Sequence, residues 1–156
     1  MHAANPALAE ASALAPDYYT RADVYAFECR EILGRTWQLV APAGAVANPG
    51  DVIAREIGGV PIVIVRDNDG ALNGFYNICP HRAGPLATCD AQSQKRLRCG
   101  YHGWVYDFSG ALVSAREMEG AAGFDPASIR LKPIDVLAWH GQVYARLEDG
   151  VAFDAV

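Results

Sequence analysis

Cys79-Pro80-His81 and Cys99-Gly100-Tyr101-His102 are two short metal-ligand boxes, Cys-x-His and Cys-x2-His, separated by seventeen residues. Each offers one thiolate and one imidazole. Any fold this chain adopts must therefore bring two loops together around metal, because ligands from both are needed to complete a coordination shell. No other feature constrains the chain as tightly.

Zinc accepts a Cys2His2 set and prefers four tetrahedral N/S ligands. Three features weigh against it. Zinc fingers usually pair Cys with Cys and His with His on separate elements, whereas here each box is mixed. A one-residue gap between Cys79 and His81 is tight for two ligands on a single ion. The flanks, Tyr76-Asn77-Ile78-Cys79-Pro80-His81-Arg82 and Cys99-Gly100-Tyr101-His102-Gly103-Trp104, are those of a different kind of site. With them, the sequence resembles the Rieske [2Fe-2S] family, in which two cysteines hold one iron and two histidines the other.

The rest of the chain bounds the setting. At 156 residues it is one domain by length, large enough for an apolar core. A net charge of −5 argues against a nucleic-acid partner, which needs a basic surface. No stretch approaches eighteen apolar residues, so no membrane span is expected. Residues 1–16, small and Ala/Pro-rich, lack the basic and apolar regions of a signal peptide and read as a flexible N-terminus. Cys29 and Cys89 are left over once the boxes are assigned. Cys29 falls on an apolar helical stripe and is expected to be buried, Cys89 to be free. Free thiols fit a reducing, cytoplasmic compartment.

Thr20-Arg21-Ala22-Asp23 reads as a capping-box-like start, Tyr25, Cys29, Ile32 and Leu33 share one face, and Gly34 is a natural stop. One amphipathic helix over residues 21–33 is expected. Strands and turns come next. Residues 37–40 form a short strand stopped by Pro42. Residues 51–57 and 60–66 flank Gly58-Gly59, a two-residue hairpin signal, and Pro61 suggests an edge strand. Asp67-Asn68-Asp69-Gly70 turns the chain into a strand at 71–77. Residues 97–99 and 104–107 bracket the second box, a turn at Ser109-Gly110 leads to 111–114, and strands at 132–139 and 142–147 surround His140-Gly141. Short apolar strands joined by turn-sized links predict an all-β, antiparallel sandwich or barrel, with the boxes in loops between strands.

From about Asp17 to Leu147 the resemblance narrows to the N-terminal Rieske domain of ring-hydroxylating and related oxygenase α subunits. Supporting segments include Arg35–Val40, Asn48-Pro49-Gly50-Asp51, Glu56–Gly59, Gly103–Asp107 and Glu119-Gly120. The resemblance implies a Rieske-type β-sandwich over residues 17–150 with a cluster-binding subdomain at about 77–107, and a tail at 151–156. It implies a [2Fe-2S] cluster with Cys79 and Cys99 on an inner iron and His81 and His102 on an outer, exposed one. The extra cysteines and serine of respiratory Rieske proteins correspond here to Gly84, Tyr101 and Trp104. With no disulfide and fewer hydrogen bonds to sulfur, the expected potential lies at the low end of the Rieske range, roughly −150 mV. Gly100 stands where the family commonly has proline, which is expected to loosen the second loop slightly. Trp104 reads as packing beneath the loops, and Arg82 as a loop brace or a solvated surface group. His140, His2 and Met118 read as surface residues.

The parent oxygenases also hold a mononuclear iron on a 2-His-1-carboxylate triad. Only His2 and His140 remain for one here, so this polypeptide alone is expected to transfer single electrons and not to activate oxygen. The implied partners are a ferredoxin or flavoprotein reductase as donor and an oxygenase catalytic domain or subunit as acceptor, in a possible homo-oligomer. The chain reads as either a short stand-alone protein or the N-terminal part of an α subunit. A redox or iron sensor without an oxygenase partner, and a zinc-stapled interaction domain, are the alternatives. The substrate class, whether aromatic acids, polycyclic hydrocarbons or quaternary amines, stays open.

Overall fold

The computed structural model describes residues 12–118 and 120–153. His2, Glu119, most of the expected N-terminal segment and the last three residues of the tail lie outside them. The chain is mostly β. Strands β1 (Gln38–Pro42), β2 (Val52–Ile57), β3 (Val60–Arg66), β4 (Leu72–Tyr76), β8 (Pro133–Trp139) and β9 (Gln142–Arg146) form an antiparallel sheet in the order β1-β9-β8-β4-β3-β2. It curls so far that its two edge strands approach each other, and the Arg55 guanidinium on β2 donates to the Val40 carbonyl on β1 at 3.1 Å. The result is a nearly closed barrel. Strands β5 (Leu97–Arg98), β6 (Val105–Tyr106) and β7 (Leu112–Ser114) make a second, three-stranded sheet.

The apolar run of β3 explains how the two sheets join. Successive side chains on a strand point to opposite faces. Ile62 and Ile64 face the barrel interior with Ile53, Val143 and Ala145, while Val63 and Val65 face outward. The outward pair lies in a second core with Cys79, Leu97, Cys99, Trp104 and Tyr106. All four β3 residues are fully buried, so a strand covered on both faces loses its polar alternation. The loops that carry the Cys-His boxes thus share a core with the barrel wall that supports them.

The hairpin expected at Gly58-Gly59 is present: both have positive φ, 54° and 83°, and join β2 to β3 in register from Ile57↔Val60 to Val52↔Val65. Gly74 serves a different need. A Cβ there would lie 2.2 Å from Val136 Cγ2, so glycine lets β8 cross β4 closely.

Pro61 is not at an edge. β3 is central, paired to both β2 and β4. The Pro61 carbonyl accepts from Asn77 N–H, so its missing N–H faces the same side, just beyond the last β3–β4 pair, Ile62↔Tyr76. No ladder bond is lost there.

The N-terminal helix also differs from expectation. A single turn, α1 (Asp17–Thr20), breaks at extended Arg21, and α2 (Ala22–Phe27) runs into a π-helical turn over Glu28–Leu33. Neither Thr20 nor Asp23 caps a helix; Asp23 instead pairs with the Arg21 guanidinium. The extra residue of the π turn rotates the downstream residues out of phase. Ile32, within that turn, stays exposed, as does Tyr25 ahead of it in α2, and Cys29 and Leu33 are half-buried. Cys29 is accordingly no core thiol. Gly34 does end the helix, but at φ −70°, not in the left-handed region. Its glycine is needed because a Cβ would press on the Arg30 carbonyl at 3.0 Å. No helix among the described residues is long and apolar enough to cross a membrane.

Candidate metal centre

Cys79 and Cys99 begin two loops that close in the same way. The Cys79 N–H donates to the Gly84 carbonyl and its carbonyl accepts from Ala83 N–H; Cys99 does the same with Trp104 and Gly103. The residue four positions on has positive φ in both, 55° at Ala83 and 70° at Gly103. One loop carries its histidine at the second position after cysteine and the other at the third. The loops lean on each other through Gly100 N–H, which donates to the Pro85 carbonyl at 3.1 Å. A proline at position 100 could not make this bond. The departure from the family pattern therefore ties the second loop to the first, contrary to the expected loosening.

This architecture sorts the four side chains by depth. Cys79 and Cys99 are 1% and 3% exposed, side by side at the inner end. His81 and His102 lie at the tip with ring centroids 4.6 Å apart, His102 exposed. The four sequence-predicted residues are thus brought together, thiols with thiols and imidazoles with imidazoles. No three His, Cys, Asp or Glu side chains among the described residues converge on a single-ion position. Two adjacent pairs suit a binuclear centre better than one tetrahedral ion.

The surroundings fit such a group. His81 Nδ1 is buried without a hydrogen-bond partner, which is costly for a polar atom unless something fills the position. Burial, then the neighbouring His102 and Arg82, hold the His81 pKa below the ordinary histidine range, favouring the neutral, ligating form. Burial pushes the Cys79 thiol up, against a lowering contribution from the Tyr106 hydroxyl 3.1 Å away. The Tyr101 N–H points at Cys99 Sγ at 3.5 Å. Gly84 leaves the space: a Cβ there would sit 3.0 Å from Cys99 Sγ and 2.7 Å from Tyr101 Cβ. Positions 84 and 101, matched in the sequence to the respiratory disulfide, do face each other.

Trp104 is 4% exposed and stacks on His81 at 4.6 Å with 4° between the rings, so it packs as expected and also holds an imidazole. Asn77 is buried and pins the first loop by accepting from Leu86 and Ala87 N–H and donating to the Ala87 carbonyl. Met118 is half-buried against the second core and is no solvated loop residue. Arg82, Cys89 and His140 are exposed. The contacts of Tyr106 and Asn77 with these loops are not among the sequence expectations. Tyr106 carried one signal: it lies two positions beyond Trp104, hence on the same face of the strand.

A barrel presenting two matched loops, with thiols beneath and imidazoles at the tip, is the frame of an iron–sulfur protein. Residues 36–129 match the Rieske [2Fe-2S] domain, and the chain belongs to that family, whose members bind a [2Fe-2S] cluster. It is 33% identical over 145 residues to the carnitine monooxygenase oxygenase subunit of Escherichia coli, covering 93% of this chain and 38% of that one. It is also 33% identical over 144 residues to the biphenyl dioxygenase α subunit of Paraburkholderia xenovorans, covering 87% and 31%. Among solved structures, a quaternary ammonium Rieske monooxygenase in complex with L-carnitine superposes with a TM-score of 0.81 at 31% identity, covering 88% of this chain and 39% of that one. Naphthalene 1,2-dioxygenase with indole bound gives 0.74 at 26%, covering 81% and 29%. The chain spans roughly three-tenths to four-tenths of the length of these relatives.

Proposed function

We propose that this chain is a one-electron relay of the oxygenase α-subunit type, its cluster held by Cys79 and Cys99 at the inner iron and His81 and His102 at the outer. The observation that carries the reading is the sorting of the four donors by depth, with the partnerless His81 Nδ1 at the tip. When bound, a cluster of this kind cycles between two states that differ by one electron. The protein does the rest. Tyr106 and the Tyr101 N–H donate toward the two sulfurs, Trp104 fixes the His81 ring, and exposed His102 offers a short route to whatever docks there. The functional unit is residues 17–150, with the cluster subdomain at about 77–107, in the cytoplasm.

Electrons come from a ferredoxin or flavoprotein reductase and pass to a mononuclear iron in an oxygenase catalytic unit outside these residues. The relatives act, by name, on carnitine, choline and biphenyl. Both quaternary amines and aromatic hydrocarbons are thus candidate substrate classes for that unit.

The test is anaerobic purification with iron and sulfide supplied. The reading expects two irons and two acid-labile sulfides per chain, a rhombic EPR signal after reduction, and its loss in Cys79→Ser and Cys99→Ser. One zinc and no sulfide would sink it.

A further inference from the structure

Asn48-Pro49-Gly50-Asp51 leads into β2 and contributes no metal donor, yet Asp51 is 2% exposed. Asp51 and Asn77 are the two buried residues with carboxylate or amide side chains among the described residues. Burying a charge is costly unless hydrogen bonds satisfy it. Asp51 Oδ2 accepts from the Asn48 N–H at 2.9 Å and from the Asn48 side-chain amide at 3.3 Å. Its Oδ1 accepts from the Ser93 N–H at 3.4 Å. Donation from the Asn48 N–H, opposed by burial and helped by Ser93, holds the Asp51 carboxyl below the ordinary carboxylate range. Ser93 is the telling partner, because it lies between the two Cys-His boxes.

The stretch around Ser93 is fastened to the barrel at several further points. β2 ends its sheet, and an edge of this kind needs cover. Val52 exchanges both backbone bonds with Ala91, at 2.8 and 2.9 Å, and the Gly50 carbonyl accepts from Gln94 N–H at 2.8 Å. Ala54, two residues on and so facing the same edge, donates its N–H to the Asp90 carboxylate at 3.2 Å. That carboxylate also takes the Arg55 guanidinium. A Cβ at Gly50 would lie 2.3 Å from the Gln94 carbonyl oxygen, so glycine is what admits the strap this closely. Ser93 itself is held at φ 53°, a backbone that persists where its surroundings over-determine it.

A buried polar side chain therefore ties each end of the chain between the boxes. Asn77, directly after β4, grips Leu86 and Ala87 behind the first box. Asp51, directly before β2, grips Ser93 ahead of the second. Past Gln94, Leu97 enters the core that holds both Val52 and Cys99. We infer that Asp51 is a positioning residue for the second box, holding Cys99 and His102 opposite Cys79 and His81 through the strap at 90–94. The inference rests on the cluster ligation proposed above and adds a residue that acts on it from outside the donor set. A metal group is retained only while its ligand loops stay closed, and a strap against the barrel suppresses their local opening.

Three variants of the full, cluster-loaded chain test this against the parent: Asp51→Asn, Gly50→Ala and, as a control, Val143→Ala, which thins the barrel interior. An amide at position 51 accepts through one atom only and turns its NH2 toward a backbone N–H. Sulfide content is measured first, and a parent preparation without sulfide overturns the relay reading at that step. Hydrogen exchange read by mass spectrometry should speed up over residues 88–98 in Asp51→Asn and Gly50→Ala, while β3 and β4 keep the parent's rates. Iron release to ferrozine after reduction should be roughly 10-fold faster in both, the effect expected when support for metal ligands is removed. Their EPR signals should broaden. Val143→Ala should lower the urea midpoint yet leave iron release and line width as in the parent. Unchanged exchange over 88–98 in Asp51→Asn overturns the positioning role, as does iron release from Val143→Ala as fast as from Asp51→Asn. Loss of protection across β3 and β4 in Asp51→Asn overturns it too, since the residue would then serve the whole fold.

Discussion

Trp104 lies flat against His81, its ring centroid 4.6 Å from the imidazole and the two planes 4° apart. The same indole touches Phe124 edge-on at 5.8 Å and sits in the core beneath the loops. The His81 ring is therefore clamped from below while His102 stands in solvent. Trp104→Ala should destabilise the fold by about 3–5 kcal/mol, as expected when a large buried aromatic is removed. It should also broaden the EPR signal by freeing the His81 ring. Trp104→Phe, which keeps a stacking surface, should restore a narrow signal. An unbroadened spectrum in the alanine variant would show that the stack does not orient the ligand.

Tyr106 reaches Cys79 Sγ at 3.1 Å, and against a thiolate only the hydroxyl can donate. Such a bond stabilises the reduced, more negative state more than the oxidised one. Tyr106→Phe should lower the midpoint potential by roughly 40 mV, corresponding to about 1 kcal/mol of differential stabilisation in a one-electron couple. Redox titration followed by EPR measures it; an unshifted or raised potential would remove Tyr106 from the tuning set.

Gly84 is confined by Tyr101 and Cys99 across the loop interface. Because the clash is with the Tyr101 Cβ and the Cys99 sulfur, no distant rotamer change relieves it. Gly84→Ala should lower the sulfide content per chain well below that of the parent protein while the barrel still unfolds cooperatively. Full sulfide occupancy in this variant would mean the loops spread without cost.

Asn77 holds the first loop with three hydrogen bonds from one buried side chain. Asn77→Ala leaves buried backbone groups at Leu86 and Ala87 unpaired, a loss of about 2–3 kcal/mol. Urea unfolding should show the midpoint falling with little change in slope. A variant as stable as the parent would show that water replaces the amide.

Much of this was legible in the residues because the signals were local. A type of turn needs particular backbone angles, so Gly58-Gly59 and Asp67–Gly70 announced themselves. Asp67 indeed accepts from Asp69 and Ala71 N–H at its turn. The ligand boxes were legible for the same reason, since thiolates and imidazoles at these spacings serve few purposes besides metal. The errors arose where a neighbour decided the outcome. Pro61 looked like an edge residue because its sequence does not reveal that the β4 ladder stops one pair short of it. Cys29 looked buried because helical spacing assumes a regular helix, and one π turn undoes the assumption.

By itself, the order of residues marked out the four candidate metal donors, the antiparallel strand pattern and the family to which the chain belongs, since each depends on spacing within a few residues. Only the folded chain decided that Gly100 ties the two loops, that Tyr106 faces a sulfur, and that Asp51 reaches across to Ser93. These are contacts between segments far apart in the chain. Their distances are set by how the barrel curls and how its outer core seats the loops, and no local pattern encodes them.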